Sequence, residues 1–299
     1  MPEDLDQDRP LDPQWLRATV AAALDEDLGG TPGRDVTTQA TIAPDVQVAG
    51  DVVVRVDGVL AGIDIVDETM NQVAARLGLQ APVVEVLAAD GDQLQAGSVV
   101  ARIEGAGHVV LIAERTVLNL MSRASGVATH TRRWADALDG TGARVLDTRK
   151  TTPLLRELDK YAVRCGGGVN KRFGLYDCAM VKDNHIVAAG SAAGAVQAIR
   201  GAFPDVPIQV EVEDRAQAIE ALDAGVTFLM LDNMAPPRMA ELVAEIRGWA
   251  PRYGVIQLEA TGGLTLDNAA QVGATGVDFM SVGALTHSSP ILDIALDLR

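Results

Sequence analysis

Residues 144–186 carry side chains whose types and spacing suit the binding of an anion. Nine of the chain's 25 lysine and arginine residues fall in this stretch, although the chain as a whole has a formal charge of −16. Two short apolar runs end in charge, the first at Arg149-Lys150 and the second at Lys182, and three glycines at 166–168 lie between them. A basic cluster in an acidic protein predicts a small ligand with carboxylates or phosphates, held by charge-assisted hydrogen bonds.

Not all of these cations need contact a ligand. Arg156, Lys160 and Arg164 recur at helical spacing, which favours a solvated helix face that pairs with Glu157 and Asp159. The others stand at predicted strand ends or beside the glycines, and these are the candidate ligand-binding cations: Arg149, Lys150, Arg172 and Lys182.

From residue 144 onward, apolar runs alternate with helical patterns. The predicted strands are 145–147, 179–182, 208–211, 228–231, 255–258 and 279–282. The predicted helices between them are 152–164, 192–203, 215–224, 237–249 and 266–272. About six βα units in a row predict a parallel sheet that is closed or nearly closed into a barrel, with fewer strands than the eight of a full (β/α)₈ barrel.

The first part of the chain predicts a small antiparallel sheet with helices. Residues 1–12 are polar and acidic, helices are predicted at 13–28 and 64–77, and strands within 46–63, 82–87 and 98–103. A long helical pattern at 109–138 is predicted to break near Ser125-Gly126. Asp35 is predicted to form an Asx-type turn in a loop. The segment around Asp90-Gly91-Asp92 superficially resembles biotinyl or lipoyl carrier domains, but it has no lysine at the turn tip.

The carboxyl ends of parallel strands meet at one edge of a sheet, so the residues there should form one site. Cations stand at the ends of the early strands, whereas the middle strands end in the carboxylates Glu211 and Asp232. Two carboxylates on adjacent strand ends predict a Mg²⁺ site that substrate phosphates complete. Thr261-Gly262-Gly263 and Gly283 follow the last strands and predict backbone N–H groups for a phosphate, although ordinary βα turns also use glycine.

Composition excludes several classes of protein. No apolar run is long enough to cross a bilayer, and the acidic first residues do not form a secretory signal. The acidic balance argues against binding nucleic acid or an anionic membrane. The two cysteines, Cys165 and Cys178, form no disulfide framework, so we expect free thiols and a cytoplasmic protein.

Several motifs, in this order and spacing, resemble the quinolinate phosphoribosyltransferases, also called carboxylating nicotinate-nucleotide pyrophosphorylases. They are DTRKTTP, KYAVRCGGGVNKR, KDNH, EVE, LDNM, EATGG and SVGALTHS, and the resemblance runs from about Leu16 to the last residue. Several long motifs in register are far more specific than one glycine pattern.

The resemblance implies a fold and a reaction. The fold is α/β, an open, incomplete α/β-barrel of about six βα units with an N-terminal α/β-sandwich domain. The expected division is 1–122 for the sandwich domain, with the tail 289–299 packed on it, and 123–288 for the barrel. The reaction is phosphoribosyl transfer from 5-phosphoribosyl-1-pyrophosphate to quinolinate, with decarboxylation to nicotinate mononucleotide, as a step of NAD biosynthesis that uses Mg²⁺.

The resemblance also implies residue roles. Arg115 would reach the active site of a partner subunit in a homodimer, whereas an ion pair with Glu114 is its structural alternative. Lys150, Glu211 and Asp232 would be catalytic, with Glu211 and Asp232 as the Mg²⁺ ligands. The implied substrate-binding residues are Arg115, Arg149, Lys171, Arg172, Lys182, Thr261, Gly262, Gly263, Gly283 and His287.

Three positions depart from the family pattern. Lys171 stands where the family usually has His, Leu154 where Gly is usual and Thr261 where Ser is usual. Lys171 matters most, because lysine is cationic near neutral pH and cannot act as a neutral acceptor. Our hypothesis is that phosphoribosyl transfer is retained with weakened or altered selectivity for the acid, and that restoring His at 171 raises quinolinate turnover.

Three alternatives stay open from the sequence. One is a paralogous phosphoribosyltransferase that acts on a different aromatic acid. The second is a non-catalytic protein that binds a nucleotide or a partner subunit. The third is a phosphate-binding barrel aldolase in which Lys182 forms a Schiff base.

Overall fold

The computed structural model describes residues 9–299, which form two compact units. The antiparallel-sheet unit comprises residues 9–132, Thr152–Gly167 and Ser288–Arg299, and the parallel-sheet unit comprises Arg133–Thr151 and Gly168–His287. The acidic segment predicted at 1–12 lies mostly outside the described residues. The domain division predicted after residue 122 falls inside a helix of the structure and stays a prediction.

The antiparallel-sheet unit combines a four-stranded sheet, a two-stranded sheet and helices. Its strands are β1 (Gln47–Val54), β2 (Gly58–Val59), β3 (Val83–Val86), β4 (Gln93–Leu94), β5 (Val99–Ala106) and β12 (Ile294–Leu298). The four-stranded sheet has the order β12-β1-β5-β3, and β2 pairs with β4. Its helices are α1 (Pro13–Leu28), α2 (Val36–Thr41), α3 (Asp64–Leu77), most of α4 (Gly107–Ala137) and α5 (Arg156–Cys165).

The sequence predicts the bounds of α1 and α3 because both helices carry their own start and stop signals. Asp12 accepts backbone hydrogen bonds at the start of α1, Pro13 is its first residue, and Gly29 ends it with φ +74°. Gly78 ends α3 in the same left-handed conformation. The Asx-type hydrogen bond predicted at Asp35 is present, but it caps α2 and does not lie in a loop: the carboxylate accepts the N–H groups of Thr37 and Thr38.

The predicted break in the long helix is wrong, because α4 runs without interruption for 31 residues. Ser125 is buried and accepts a hydrogen bond from the backbone N–H of Ala61. A Cβ atom built on Gly126 would lie 2.1 Å from the carbonyl oxygen of Pro290. The two small residues therefore allow close packing on the helix and do not break it.

The segment predicted as a tail at 289–299 contains a strand, β12. β12 pairs with β1 in antiparallel register, from Val54 opposite Ile294 to Gly50 opposite Leu298. Burial decreases along this strand, from the buried Ile294 to the exposed Leu298.

The solvated face predicted for the helix after residue 152 is also wrong for part of that helix. In α5, Asp159 and Lys160 are fully buried, and Asp159 forms an ion pair with Arg123 of α4. Arg164 donates instead to the backbone carbonyl of Arg9. The side of α5 that carries Asp159 and Lys160 is therefore buried inside the antiparallel-sheet unit and is not solvated.

The parallel-sheet unit contains the six predicted strands in one parallel sheet. They are β6 (Arg144–Leu146), β7 (Ala179–Val181), β8 (Ile208–Val212), β9 (Phe228–Asp232), β10 (Gln257–Thr261) and β11 (Phe279–Ser281). The sheet order is β6-β11-β10-β9-β8-β7. Its helices are α6 (Asp183–Ala189), α7 (Ala192–Ala202), α8 (Arg215–Asp223), α9 (Pro236–Gly248), α10 (Ala250–Tyr253), α11 (Leu266–Gly273) and α12 (Ala284–His287).

The sheet is an open, incomplete barrel, as predicted. Its two edge strands, β6 and β7, form no ladder with each other among residues 9–299, and Val169 forms only an isolated bridge to Leu146 of β6. The apolar core inside the sheet comprises Leu146, Val169, Phe228, Met230 and Phe279.

β10 lies further along the chain than predicted. The prediction began at Val255, which is 85% exposed, whereas the strand begins at Gln257 after Gly254 with φ +80°. Glu259 therefore stands in the middle of β10, beside Met230 of β9 and Phe279 of β11, and not beyond the strand's end. No helix within residues 9–299 is long and apolar enough to cross a membrane.

Candidate active site

One cavity of about 520 Å³ lies at the carboxyl ends of the parallel strands. Its wall contains most of the residues that the sequence predicts for the site. The predicted residues that line it are Arg149, Lys150, Lys171, Arg172, Lys182, Thr261, Gly262, Gly263, Gly283 and His287.

Two guanidinium groups, of Arg149 and Arg172, repel each other in this cavity. Burial, and then the positive charge of Arg149, lowers the pKa of Arg172. Arg172 also donates to the backbone carbonyl of Cys178 at 3.1 Å, which fixes its direction at the entrance to β7. A carboxylate between the two groups would relieve their repulsion, and a planar guanidinium matches its two oxygens.

Gly283 lets Lys150 and His287 come together. A Cβ atom at Gly283 would lie 2.9 Å from Cδ of Lys150 and 3.3 Å from Nε2 of His287. The hydroxyl of Thr286 donates to the backbone carbonyl of Lys150 at 2.9 Å, which ties the loop after β6 to α12. A cationic side chain, an imidazole and the loop after β11 thus share one wall.

The glycine loop after β10 depends on left-handed backbone. Gly262 and Gly263 have φ of +82° and +62°, a region that residues with a Cβ atom rarely adopt. A Cβ atom at Gly262 would also lie 3.1 Å from Oδ1 of Asp232, so the loop packs directly against the end of β9. Exposed backbone of this kind suits an approaching phosphate.

Glu211 and Asp232 lie beside the cavity and not in its wall. Glu211 is linked to it through Lys182, whose Nζ atom lies 2.8 Å from Oε1 of Glu211. Burial, and then the negative charge of Glu211, raises the pKa of Asp232. The two carboxylates are thus close enough to repel each other at the ends of neighbouring strands.

These two carboxylates fit a divalent cation that a substrate helps to bind. Among residues 9–299, no group of three or more His, Cys, Asp or Glu side chains is placed to hold a metal ion. Mg²⁺ does not need such a group, because it commonly binds through one or two carboxylates plus substrate phosphates and water. Glu211 and Asp232 repel each other, and a cation bound between them would relieve this repulsion.

Lys171 lies at the floor of the cavity and is 5% exposed at its side chain. Its Nζ atom donates to Oε1 of Glu259 at 2.6 Å and lies 3.4 Å from the hydroxyl oxygen of Ser281. Lys171 is the residue that departs from the family pattern, and its ammonium group is therefore held by Glu259 of the same chain.

Comparison with known proteins now identifies the chain's relatives. The family model of the quinolinate phosphoribosyl transferase C-terminal domain matches residues 127–297, and that of the N-terminal domain matches residues 35–125. This chain belongs to the quinolinate phosphoribosyl transferase family. The resemblance that the motifs predicted is thereby confirmed.

Individual relatives of the family match along nearly the whole chain. The carboxylating nicotinate-nucleotide pyrophosphorylase of Mycobacterium leprae is 45% identical and covers 94% of this chain and 96% of its own. The crystal structure of NadC from Streptococcus pyogenes is 34% identical, with a TM-score of 0.89 over 97% of this chain and 99% of that one. The nicotinate-nucleotide pyrophosphorylase from Francisella tularensis has a TM-score of 0.86 at 30% identity, with the same coverage.

One predicted family residue, Arg115, lies outside this cavity. It is 62% exposed at its side chain, and within residues 9–299 its ion pair is with Glu114, at 3.7 Å. Arg115 lines a second cavity of about 550 Å³ in the antiparallel-sheet unit, together with Arg34, Leu111 and Ile112. The acidic residues Glu26, Asp27 and Asp35 line the same cavity.

The sequence did not single out several residues that line this cavity. They are Thr148, Met180, Met230, Leu264, Ser281, Val282 and Ala284. The predicted strand 255–258 places Glu259 just beyond a strand end, but the sequence predicted no role for this residue in the site. The available signal was a carboxylate inside an apolar strand, since a buried charge needs a partner.

Proposed function

We propose that this chain transfers the phosphoribosyl group of 5-phosphoribosyl-1-pyrophosphate to the ring nitrogen of quinolinate and releases carbon dioxide, giving nicotinate mononucleotide. The family and the carboxylating names of its relatives support this reaction. The observation that carries it is the repulsive pair Arg149 and Arg172 in one cavity with two glycine loops. The product is a pyridine nucleotide, so we assign the enzyme to NAD biosynthesis, and its two free cysteines fit a reducing cytoplasm.

Quinolinate suits the cationic part of the cavity. Its two neighbouring carboxylates would bind Arg149 and Arg172, with Lys182 at the edge, and each contact would offset the repulsion between the two guanidinium groups. An acid with one carboxylate would neutralise less of this charge. We therefore expect a preference for a dicarboxylate over a monocarboxylate.

The phosphates of the donor suit the opposite wall. Backbone N–H groups at Gly262, Gly263 and Gly283 would receive the 5-phosphate, and Lys150 and His287 would approach the donor's anionic groups. The donor and the acid then lie side by side at the strand ends, which replaces a bimolecular encounter by a fixed geometry.

The reaction needs no covalent enzyme intermediate. The lone pair of the ring nitrogen forms the bond to the anomeric carbon while the bond to pyrophosphate breaks. The bond from C2 to its carboxylate then breaks, the electron pair stays at C2 beside the cationic nitrogen, and C2 takes up a proton. Lys150 would offset the charge on the departing pyrophosphate, and Glu211 and Asp232 would stabilise positive charge at the ribose.

Mg²⁺ is part of this proposal. Glu211 and Asp232 would hold it together with oxygens of the donor, and it would supply charge neutralisation at the pyrophosphate. We expect a chelator to abolish turnover and added Mg²⁺ to restore it.

The direct experiment measures pyrophosphate and carbon dioxide with quinolinate, 5-phosphoribosyl-1-pyrophosphate and Mg²⁺. We expect equal amounts of both products, and a loss of at least about a hundredfold in kcat/KM for Arg172→Gln, because a charge-assisted contact pair is lost. Arg252→Gln, on the surface in α10, is the matched control and should retain activity. If the enzyme turned over another aromatic acid and no quinolinate, that acid would be its substrate. If it bound the donor but turned over no acid, the non-catalytic alternative would be favoured.

We also propose a homodimer in which Arg115 completes the neighbour's active site. Its exposure, and the cavity in which it lies, support a role toward another chain. Mixing inactive Arg115→Ala with inactive Arg172→Gln should restore about a quarter of wild-type activity, because random pairing forms heterodimers with one intact site. No recovery, with heterodimers demonstrated, would contradict this arrangement.

A further inference from the structure

The backbone at Lys171 is fixed to β6. The N–H of Lys171 donates to Oδ1 of Asp147 at 2.8 Å, and the side chain of Asn170 donates to Oδ2 of the same carboxylate at 2.7 Å. Val169, two residues before Lys171, bridges to Leu146 of β6. With its backbone held on the edge strand, the side chain of Lys171 extends across the interior of the sheet to Glu259 of β10.

Glu259 depends on Lys171 for its charge balance. Its side chain is fully buried, and within residues 9–299 the hydrogen bond from Lys171 is the one that its carboxylate receives. Its second oxygen, Oε2, is buried without a hydrogen-bond partner in that same range. A carboxylate so placed would be very costly if its cation were removed.

The pair has a direct effect on charge in the cavity. Lys171 lines the cavity as one of its cations, yet the negative charge 2.6 Å away offsets most of its positive charge at distances well beyond the length of the pair. Arg149 and Arg172, by contrast, are close enough for the charge of Arg149 to lower the pKa of Arg172. An acid that binds between these two arginines would relieve that repulsion.

We infer that Glu259 is a positioning residue that holds the Lys171 ammonium inside the sheet and so sets how strongly, and how selectively, the cavity binds carboxylates. This inference rests on the proposed function, since it concerns the acid-binding part of the same site. It replaces direct contact between Lys171 and the acid by a neutral pair beneath it. The acid's two carboxylates are then recognised by Arg149 and Arg172.

Four proteins test the inference: wild type, Lys171→Met, Glu259→Gln and the double variant. The probe is phthalate, an aromatic dicarboxylate without a ring nitrogen, so its Kd is measured by calorimetry without turnover. Glu259→Gln removes the compensating charge and should tighten phthalate binding about tenfold at low salt, whereas Lys171→Met leaves a buried anion and should weaken it about tenfold. In the double variant, Glu259→Gln should restore most of the affinity that Lys171→Met loses. It should also raise the thermal midpoint that Lys171→Met lowers.

A purely structural role would lower thermal midpoints without making one single variant bind more tightly than wild type. The matched control is Glu245→Gln, which removes an exposed carboxylate from its ion pair with Arg215 and should leave phthalate affinity unchanged. The opposite changes in the two single variants should also shrink as salt is raised.

Two results overturn the inference. One is a double variant with a restored thermal midpoint whose phthalate Kd stays as weak as that of Lys171→Met, because Lys171 then contacts the acid itself. The other is weaker binding by Glu259→Gln. If wild type follows the expected pattern with phthalate but releases no pyrophosphate with quinolinate, only the proposed function fails, whereas wild type that binds neither acid overturns both.

Discussion

Arg123 of α4 and Asp159 of α5 form a two-pronged ion pair in which Nη2 lies 2.9 Å from Oδ1 and 3.1 Å from Oδ2. Asp159 is fully buried and also accepts the backbone N–H of Thr152 at 3.0 Å. One carboxylate therefore fixes two helices and the segment that leads into the second of them.

Replacing Asp159 by Ala should destabilise the protein by about 3–5 kcal/mol, because it leaves a largely buried guanidinium without its partner. Glu157→Ala is the matched control, since it removes a neighbouring carboxylate of the same helix that lies 3.7 Å from the half-exposed Arg9. The control should cost no more than about 1 kcal/mol. Equal costs in urea unfolding would contradict the structural role of Asp159.

Gly126→Ala should destabilise the protein by about 3 kcal/mol, because its new Cβ atom would meet the backbone of Pro290 and Ile291. Gly201, in α7, has no atom within 4 Å of a Cβ position. Gly201→Ala should therefore stabilise its helix by about 0.5–1 kcal/mol. Chemical unfolding of the two variants measures both signs, and a stabilising Gly126→Ala would exclude the close approach.

Leu154→Gly should stabilise the protein by up to ~1 kcal/mol. A left-handed backbone costs a residue with a Cβ atom about 1–2 kcal/mol, and glycine removes this cost. Part of the gain is lost because glycine gives the unfolded chain more conformational entropy. Leu154 has φ +67° and its side chain is 91% exposed, so little packing is lost. Leu154→Ala removes the same side chain but keeps the Cβ atom. If both variants gained equally in thermal midpoint, exposure of the leucine and not its backbone would be the cause.

The stability of the folded state should depend on pH through Asp232. Its raised pKa means that the folded chain binds this proton more tightly than the unfolded chain, whose Asp pKa is about 3.9. The ionised carboxylate therefore costs stability above the folded pKa, and this cost disappears as the pH falls through that value. We expect Asp232→Asn to raise the thermal midpoint at neutral pH, by an amount that shrinks on acidification.

Asp35 should affect the pH dependence of stability in the opposite direction to Asp232. The hydrogen bond from the Thr38 hydroxyl lowers the pKa of Asp35, so its ionised form stabilises the fold above the unfolded pKa, and this contribution is lost as the pH falls through the folded one. Asp35→Asn should lower the thermal midpoint at neutral pH and lose this effect in acid. The same pH trend for both substitutions would contradict the assigned causes.

Local signals predicted much of the fold. Pro13 and Gly29 mark the limits of α1, Gly78 ends α3, and six apolar runs gave the six parallel strands. Contacts between residues that are far apart in the sequence could not be predicted from local signals. Gly126 looks like a helix break until Pro290, which is far along the chain, is brought against it.

The candidate site was predictable where it stands at strand ends. Arg149, Lys182 and Asp232 follow apolar runs, and parallel strands bring such positions to one edge. The pairing of Lys171 with Glu259 was not predictable, because it crosses the interior of the sheet between residues 88 positions apart. The burial of Lys160 was missed for a related reason: helical spacing shows which charges share a face, but not what covers that face.

The pairing of β12 with β1 has a consequence for the order in which the chain acquires its structure. Gly50 lies opposite Leu298, and the chain between these two residues includes residues 133–151 and 168–287 of the parallel-sheet unit. Contacts between segments so distant in sequence form slowly. β1 can meet β5 early, but its other edge has to wait for β12. A single backbone cut inside the parallel-sheet unit would leave β12 on a separate fragment, and its docking on β1 would then depend on protein concentration.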